Sequence, residues 1–304
     1  MILSEIPPGR VEEKLTGTGL RLRTGPVVTN IRSSLPLVAE GLRLHYREYA
    51  IEADDGFADF HVRVIRPSGL RRWIQPQVFF QMDEAEPFAP LPADQAFPML
   101  EWGMNWCISS HCHQYLILHA AVVERGGRAL ILPAPPGSGK STLCAGLVCR
   151  GWRLLSDELT LIDPGSGCVV PVPRPVGLKN ASIEVIRAFD AKAVLGTAVR
   201  DTTKGTVAHM QAPVDSVRRA TETAVPAWIV LPRYVAGAES RLTPLSKARA
   251  FMQLADNAFN YDVHGKLGFE TVGNVIDRCN CYEYSYSRLA DAESVFSQLA
   301  ATSP

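Results

Sequence analysis

The sequence predicts an α/β protein, and three observations carry that expectation. Two apolar runs, residues 115–123 and 129–133, flank a Gly-Gly pair; a Gly/Ser-rich loop follows the second run and opens a helix; and from there strand-like and helix-like segments alternate. Residues 1–110 read differently, as a β-rich N-terminal region ahead of a second domain over 111–304.

The elements follow in order. Strand-like runs at 59–65 and 76–80 are separated by Pro, Gly and Asp clusters. Over 96–110, Phe97, Leu100, Met104, Trp106 and Cys107 give a loosely helical stripe, weakened by Pro98 near its start. The strand at 115–123 and the one at 129–133 should pair as a hairpin, because the tight turn at Arg125-Gly126-Gly127-Arg128 needs positive φ and glycine supplies it. A helix from about 140 to 150 should stop at Gly151, the residue type that most easily takes the left-handed C′ conformation. Strands are expected at 152–156 and 159–162, a helix at 180–189, and a buried strand at 227–231. An amphipathic helix is expected at 246–259, with Ala248, Phe251, Met252, Ala255 and Phe259 on one stripe. Residues 281–286 alternate, with Tyr282, Tyr284 and Tyr286 on one packing face, before a last helix at 291–300. Ala208-His209-Met210 reads as an unassigned loop, and no internal repeat or low-complexity tract is visible.

Composition narrows the function classes. The 304 residues carry 31 Lys+Arg against 31 Asp+Glu, and 46% are hydrophobic, which is the globular range. Zero net charge argues against nucleic-acid or membrane-surface binding driven by bulk electrostatics. No apolar run approaches the roughly 18–20 residues that cross a bilayer, and the start at Met1 lacks a basic stretch and apolar core, so a soluble cytoplasmic protein is expected. Seven cysteines, an odd count in a chain of this size, read as reduced thiols. Cys107, His111, Cys112 and His113 form the one cluster with zinc-like composition. It has no CxxC partner, and Cys279-Asn280-Cys281 is too tight to supply one, so these read as helix-end residues.

The chemistry concentrates in Ala134-Pro135-Pro136-Gly137-Ser138-Gly139-Lys140-Ser141-Thr142, which follows a strand and opens a helix, the context of a phosphate-binding P-loop. Gly137 and Gly139 let the backbone curl so that successive N–H groups point inward, and the helix N-terminus adds its positive partial charge. Lys140 supplies a mobile charge for the β and γ phosphates, and the Ser141 hydroxyl is placed to ligate Mg²⁺. The first position of the usual pattern is Ala134 rather than Gly, which is compatible with negative φ there. Chemistry also needs a carboxylate for the metal and a group that activates the nucleophile. Asp157 and Glu158 are the nearest candidates, since acids at the carboxyl end of a strand adjoining the loop would face bound phosphates. His119, polar within an apolar strand that pairs with the one feeding the loop, is the third.

This order of His119-Ala120, the glycine-rich loop and Arg150-Gly151-Trp152-Arg153-Leu154-Leu155-Ser156-Asp157-Glu158 resembles the HPr serine kinase/phosphorylase family. There a strand histidine, a GKS loop and an R-G-H-R-L-x-x-D-D segment appear at similar spacing. The likeness is close over about 115–165 and covers the remainder in outline. It implies a P-loop kinase core similar to the HPr kinase C-terminal domain and to phosphoenolpyruvate carboxykinase. It also implies that Lys140 and Ser141 bind phosphate and Mg²⁺, that Asp157 matches the first family aspartate, that Glu158 stands for the second, and that His119 assists proton transfer. Ala120, Ala134, Pro136, Trp152 and Glu158 depart from the family pattern. The family's glycine-rich signature for its protein substrate and reverse reaction is replaced by the Pro-rich 171–182.

The expectation is therefore a Mg²⁺-dependent kinase that moves the ATP γ-phosphoryl to a hydroxyl, a serine of a protein or peptide, with Asp157 or Glu158 acting alongside His119 as proton acceptor. Lys179-Asn180 and Thr203-Lys204-Gly205-Thr206 are further places from which a cation could reach the transferring group. An ATP-gated binding module with little catalysis and a small-molecule kinase are the rival readings. The resemblance leaves a homo-oligomer open.

Overall fold

The computed structural model describes residues 1–67, 76–135 and 137–302. It is a mixed α/β molecule with three sheets and, among the described residues, ten α-helices.

The N-terminal part is built on a five-stranded sheet of β1 (Leu20–Thr24), β2 (Val27–Ser33), β3 (Phe60–Ile65), β4 (Gln77–Met82) and β5 (Leu91–Pro92), in that spatial order. Only β2 and β3 pair in parallel. Among the described residues, three α-helices accompany it: α1 (Pro8–Thr16), α2 (Pro36–His45) and α3 (Ala96–His111). The first two are helices that the sequence reading did not place, and both begin with proline at the first helical position, where its missing N–H costs nothing. The stripe at 96–110 is a full helix, and Pro98 sits within its first turn, where no intrahelical N–H is needed.

The larger sheet takes β6 (Leu116–Arg125), β7 (Arg128–Pro133), β8 (Arg153–Ser156), β9 (Leu159–Ile162), β10 (Val169–Val170), β14 (Val225–Tyr234), β15 (Arg241–Pro244) and β16 (Asn280–Tyr286). Its order is β10-β9-β6-β7-β14-β16-β15, with β8 also paired to β6. β7, β14 and β16 run parallel, and the flanking strands run antiparallel. The hairpin of β6 and β7 closes as expected, Arg125 opposite Arg128, with Gly126 and Gly127 at φ 63° and 79°.

Why β6 and β7 read as unbroken apolar runs is evident from burial. Ile117, Ala121, Val123, Leu130 and Leu132 face one core, and Leu116, Leu118, Ala120, Val122, Ala129 and Ile131 face a second. The first core is closed by α4 (Lys140–Val148) and α10 (Leu289–Thr302) and runs on into the N-terminal part. The second is closed by α7 (Lys247–Asp256) and α9 (Lys266–Arg278) through Leu254, Val272, Val275 and Ile276.

A third sheet of β11 (Val176–Lys179), β13 (Gly205–Met210) and β12 (Val199–Thr202) stands between the two parts. His209, expected in a loop, is a buried residue of β13. The remaining helices are α5 (Ala181–Phe189), α6 (Val214–Arg218) and α8 (Tyr261–His264). No helix among the described residues is long and apolar enough to cross a membrane.

Candidate active site

The loop after β7 turns sharply into α4. Gly137 and Gly139 hold φ 85° and 90°, and Gly139 is the N-cap of the helix. The loop is gripped by the last residues of the neighbouring strands β14 and β16: Tyr234 N–H donates to Ser138 O at 2.9 Å, and Tyr286 Oη donates to Gly139 O at 2.9 Å. The first turn of a helix has N–H groups without intrahelical partners, and here they belong to Lys140, Ser141 and Thr142. Pro136 lies outside the described residues, and Ala134 is buried behind the loop rather than on the cavity wall. Pro135 and residues 137–142 line a cavity of about 1330 Å³.

Lys140 is 7% exposed, and its ammonium has no hydrogen-bond partner among the described residues. Burial lowers its pKa, while Asp157 and Glu158 pull it back up. A buried cation held this way is costly unless an anion joins it.

Asp157 and Glu158 follow β8 directly, so the sheet delivers them to the same cavity region. Asp157 is 5% exposed; Gly177 N–H donates to its Oδ2 at 3.0 Å, and its buried Oδ1 has no hydrogen-bond partner among the described residues. Burial pushes this carboxyl up to about 6, with Glu158 adding repulsion and Lys140, the Ser141 hydroxyl and the Gly177 amide pulling down. Glu158 goes the other way. Burial alone would raise it, but Lys204, Lys179, Lys140 and His119 together hold it below the usual glutamate value. Its Oε1 lies 3.7 Å from Lys179 Nζ, and its Oε2 accepts from Asn105 Nδ2 at 2.7 Å.

His119 reaches the same place through strand register. It sits opposite Leu159, next to Glu158, and one residue beyond the Ala120–Pro133 pair from which the loop departs. Its ring leans on Phe259 at 5.6 Å, and burial, then Lys140, lower it to about 4, so it is a neutral imidazole at pH 7. Lys204, at the β12–β13 turn, places Nζ 4.8 Å from the Trp102 ring. Lys140, Ser141, Glu158, His119, Lys179 and Lys204 thus share one cavity, with Asp157 beneath it.

One wall came from a quarter the sequence reading did not reach. Helix α3 presents Trp102, Asn105, Trp106 and Ser109 to the cavity, spaced i, i+3, i+4 and i+7, while Leu100, Met104, Cys107 and Ile108 are buried on its other side. That spacing was the available signal; the mixed polar and aromatic character of the stripe concealed it. Near it, no three His, Cys, Asp or Glu side chains gather as a metal cluster among the described residues, those at 107–113 included.

Comparisons with known proteins add two findings. A family model described as SynChlorMet cassette protein ScmC matches residues 95–208, which run from the start of α3 through most of β13. Among solved structures, the Hpr(Ser) kinase/phosphatase from Coxiella burnetii is similar over 62% of this chain and 99% of its own, at 11% identity and a TM-score of 0.27. No curated protein matches.

Proposed function

We propose that the chain is an ATP- and Mg²⁺-dependent kinase that transfers the γ-phosphoryl to a hydroxyl, a serine of a protein or peptide. The observation that carries this reading is the buried Lys140 ammonium at a helix N-terminus, set near the buried Asp157 carboxylate, the ammonium and one carboxylate oxygen both being without a hydrogen-bond partner among the described residues. A cation waiting for anionic oxygens and a carboxylate oxygen waiting for a cation are the two halves of a metal–triphosphate site.

Loop amides and Lys140 would hold the β and γ phosphates. Ser141 and Asp157 supply hard oxygen donors, and the orphan Oδ1 fits a hard divalent cation. Bound Mg²⁺ supplies charge neutralisation across the phosphates. In the transfer, the acceptor oxygen bonds to the γ phosphorus as the β–γ bridging P–O bond breaks, ADP leaves, and the hydroxyl proton passes to a base. Glu158, kept ionised by its lysine neighbours, and neutral His119 are both suited to receive it, and Lys179 and Lys204 add positive charge where the transition state gathers negative charge. The order of His119, the loop and the acid pair along the chain, with its resemblance to HPr serine kinases, supports the same reading.

The test is incubation of the purified protein with γ-labelled Mg-ATP and lysate from its source, beside Lys140→Ala and a sample without lysate. A labelled protein or peptide band that needs both the intact lysine and the lysate is the expected result. ATP binding with no labelled band, in any sample, overturns transfer to a protein and leaves a gated binding module or a small-molecule acceptor.

A further inference from the structure

Glu158 stands at the end of a hydrogen-bonded chain of polar groups, buried as far as Arg174 and half-buried at Asn105, that begins in the N-terminal part of the molecule. Tyr46, at the end of α2, donates its hydroxyl proton to Glu101 Oε1 at 2.7 Å. Glu101, on α3 and 3% exposed, accepts from Arg174 Nη2 at 2.7 Å, and its backbone carbonyl accepts from the same nitrogen at 2.9 Å. Arg174, 6% exposed, donates from Nη1 to Asn105 Oδ1 at 2.6 Å. Asn105 then donates from Nδ2 to Glu158 Oε2.

The amide orientation in this chain is dictated by chemistry. A guanidinium is donor-only and an ionised carboxylate is acceptor-only. An asparagine caught between them has one satisfactory arrangement, oxygen toward Arg174 and NH₂ toward Glu158; the flipped amide would set donor against donor and acceptor against acceptor. Arg174 is itself immobilised by Glu101 and Tyr46, so the amide has a fixed anchor. With Oε2 pinned, Oε1 is the oxygen left beside Lys179, and the carboxylate has one orientation rather than a free terminal torsion.

We propose that Asn105 is a positioning residue for Glu158, and that α3 thereby contributes to catalysis through this amide as well as through the cavity wall. The inference rests on the phosphotransfer reading above. It assigns to residues before 111 a part in the chemistry. Alignment of a group that receives a proton is worth most in the transition state, so its loss falls on turnover rather than on nucleotide affinity.

Phosphate release from Mg-ATP by the purified full-length protein, with kcat and KM for ATP resolved, is the measurement. The variants are Asn105→Asp, Asn105→Ala, Glu158→Gln, the double variant N105A/E158Q and Lys140→Ala. N105A removes the donor to Glu158 without adding charge, whereas N105D keeps the oxygen that meets Arg174 but faces Glu158 Oε2 with a second carboxylate, so it disrupts the same contact more strongly while preserving the anchored side of the chain. Thermal unfolding of each variant checks that it is folded. The expected result is a drop in kcat of about 10-fold or more for N105D and N105A with KM for ATP unchanged, and no further drop on adding N105A to E158Q. Wild-type kcat in both single variants overturns the positioning role while the kinase reading stands. An equal drop from N105A in the wild-type and E158Q backgrounds overturns it too, because the residue then acts independently of Glu158. Wild-type turnover no higher than that of K140A, together with no Lys140-dependent label in the lysate assay, overturns the phosphotransfer reading and this inference with it.

Discussion

A buried carboxyl with only one of its oxygens hydrogen-bonded is a liability to the fold, and among the described residues Asp157 is such a group. Its ordinary pKa of 3.8 rises to about 6 in the fold. A raised pKa means the folded state binds the proton more tightly than the unfolded chain does. Below pH 3.8 the residue therefore costs nothing, and stability is lost as pH climbs from there to about 6, after which the loss is constant. The shift corresponds to about 3 kcal/mol. Asp157→Asn, which keeps an oxygen for the Gly177 amide, should make the protein more stable by up to that amount at pH 7 in Mg²⁺-free buffer. The gap should close near pH 4, and phosphate turnover should vanish. Urea unfolding of both proteins at pH 4 and pH 7 checks it; equal midpoints at pH 7 would show that the carboxylate is not strained by burial. At this scale the sequence displayed Lys140, Ser141, Asp157, Glu158 and His119, because a loop motif and an acid pair are local signals. The pairing of Asn105 with Arg174 and Glu158 was not legible, since each is defined by a partner far away in the chain; the helical stripe that holds Asn105 shows its face but not its partners.

Among elements, the loop between β7 and α4 shows how a positive φ and a close approach differ in cost. At Gly126 an added Cβ would meet nothing within 4 Å, so only the backbone conformation resists. At Gly139 the same atom would come within 2.5 Å of Tyr286 Oη and 3.0 Å of Tyr234 Cβ. Gly126→Ala should cost about 1–2 kcal/mol, the left-handed penalty alone. Gly139→Ala should cost more in chemical-denaturant unfolding and should also abolish nucleotide binding measured by calorimetry, because the tyrosine grip and the loop cannot both keep their places. Comparable losses in the two variants would argue that the tyrosines yield freely. The strands and helices of this half were readable because β6 and β7 are buried on both faces and α4 opens on a glycine turn. Helices α1 and α2 were hidden by their prolines, which signal turns in a linear reading and serve as helix starts in the fold. Strand β13 was missed because its pairing partners, β11 and β12, are short and its alternation is carried by Ala, His and Met.

Across the whole molecule, one apolar core extends from Leu3 to Leu299, and polar ties reinforce it: Tyr49 Oη donates to Pro173 O at 2.7 Å, and Gln95 Nε2 to Asp201 O at 3.2 Å. A shared core predicts a shared transition. Tryptophan fluorescence and far-UV ellipticity should report one coincident urea unfolding curve; two resolved midpoints would mean that residues 1–110 melt apart from the rest. The tyrosine grip on the loop has a further consequence in time rather than in space. The loop is made by residue 139, yet the strands that shape it from β14 and β16 end at Tyr234 and Tyr286. During synthesis the glycine turn emerges about 150 residues before its second clamp, at a pace of about 5–20 residues per second. For many seconds the nascent chain therefore carries the whole glycine-rich loop sequence with no rigid seat for it, and the seated loop follows only once β16 has paired beside β14.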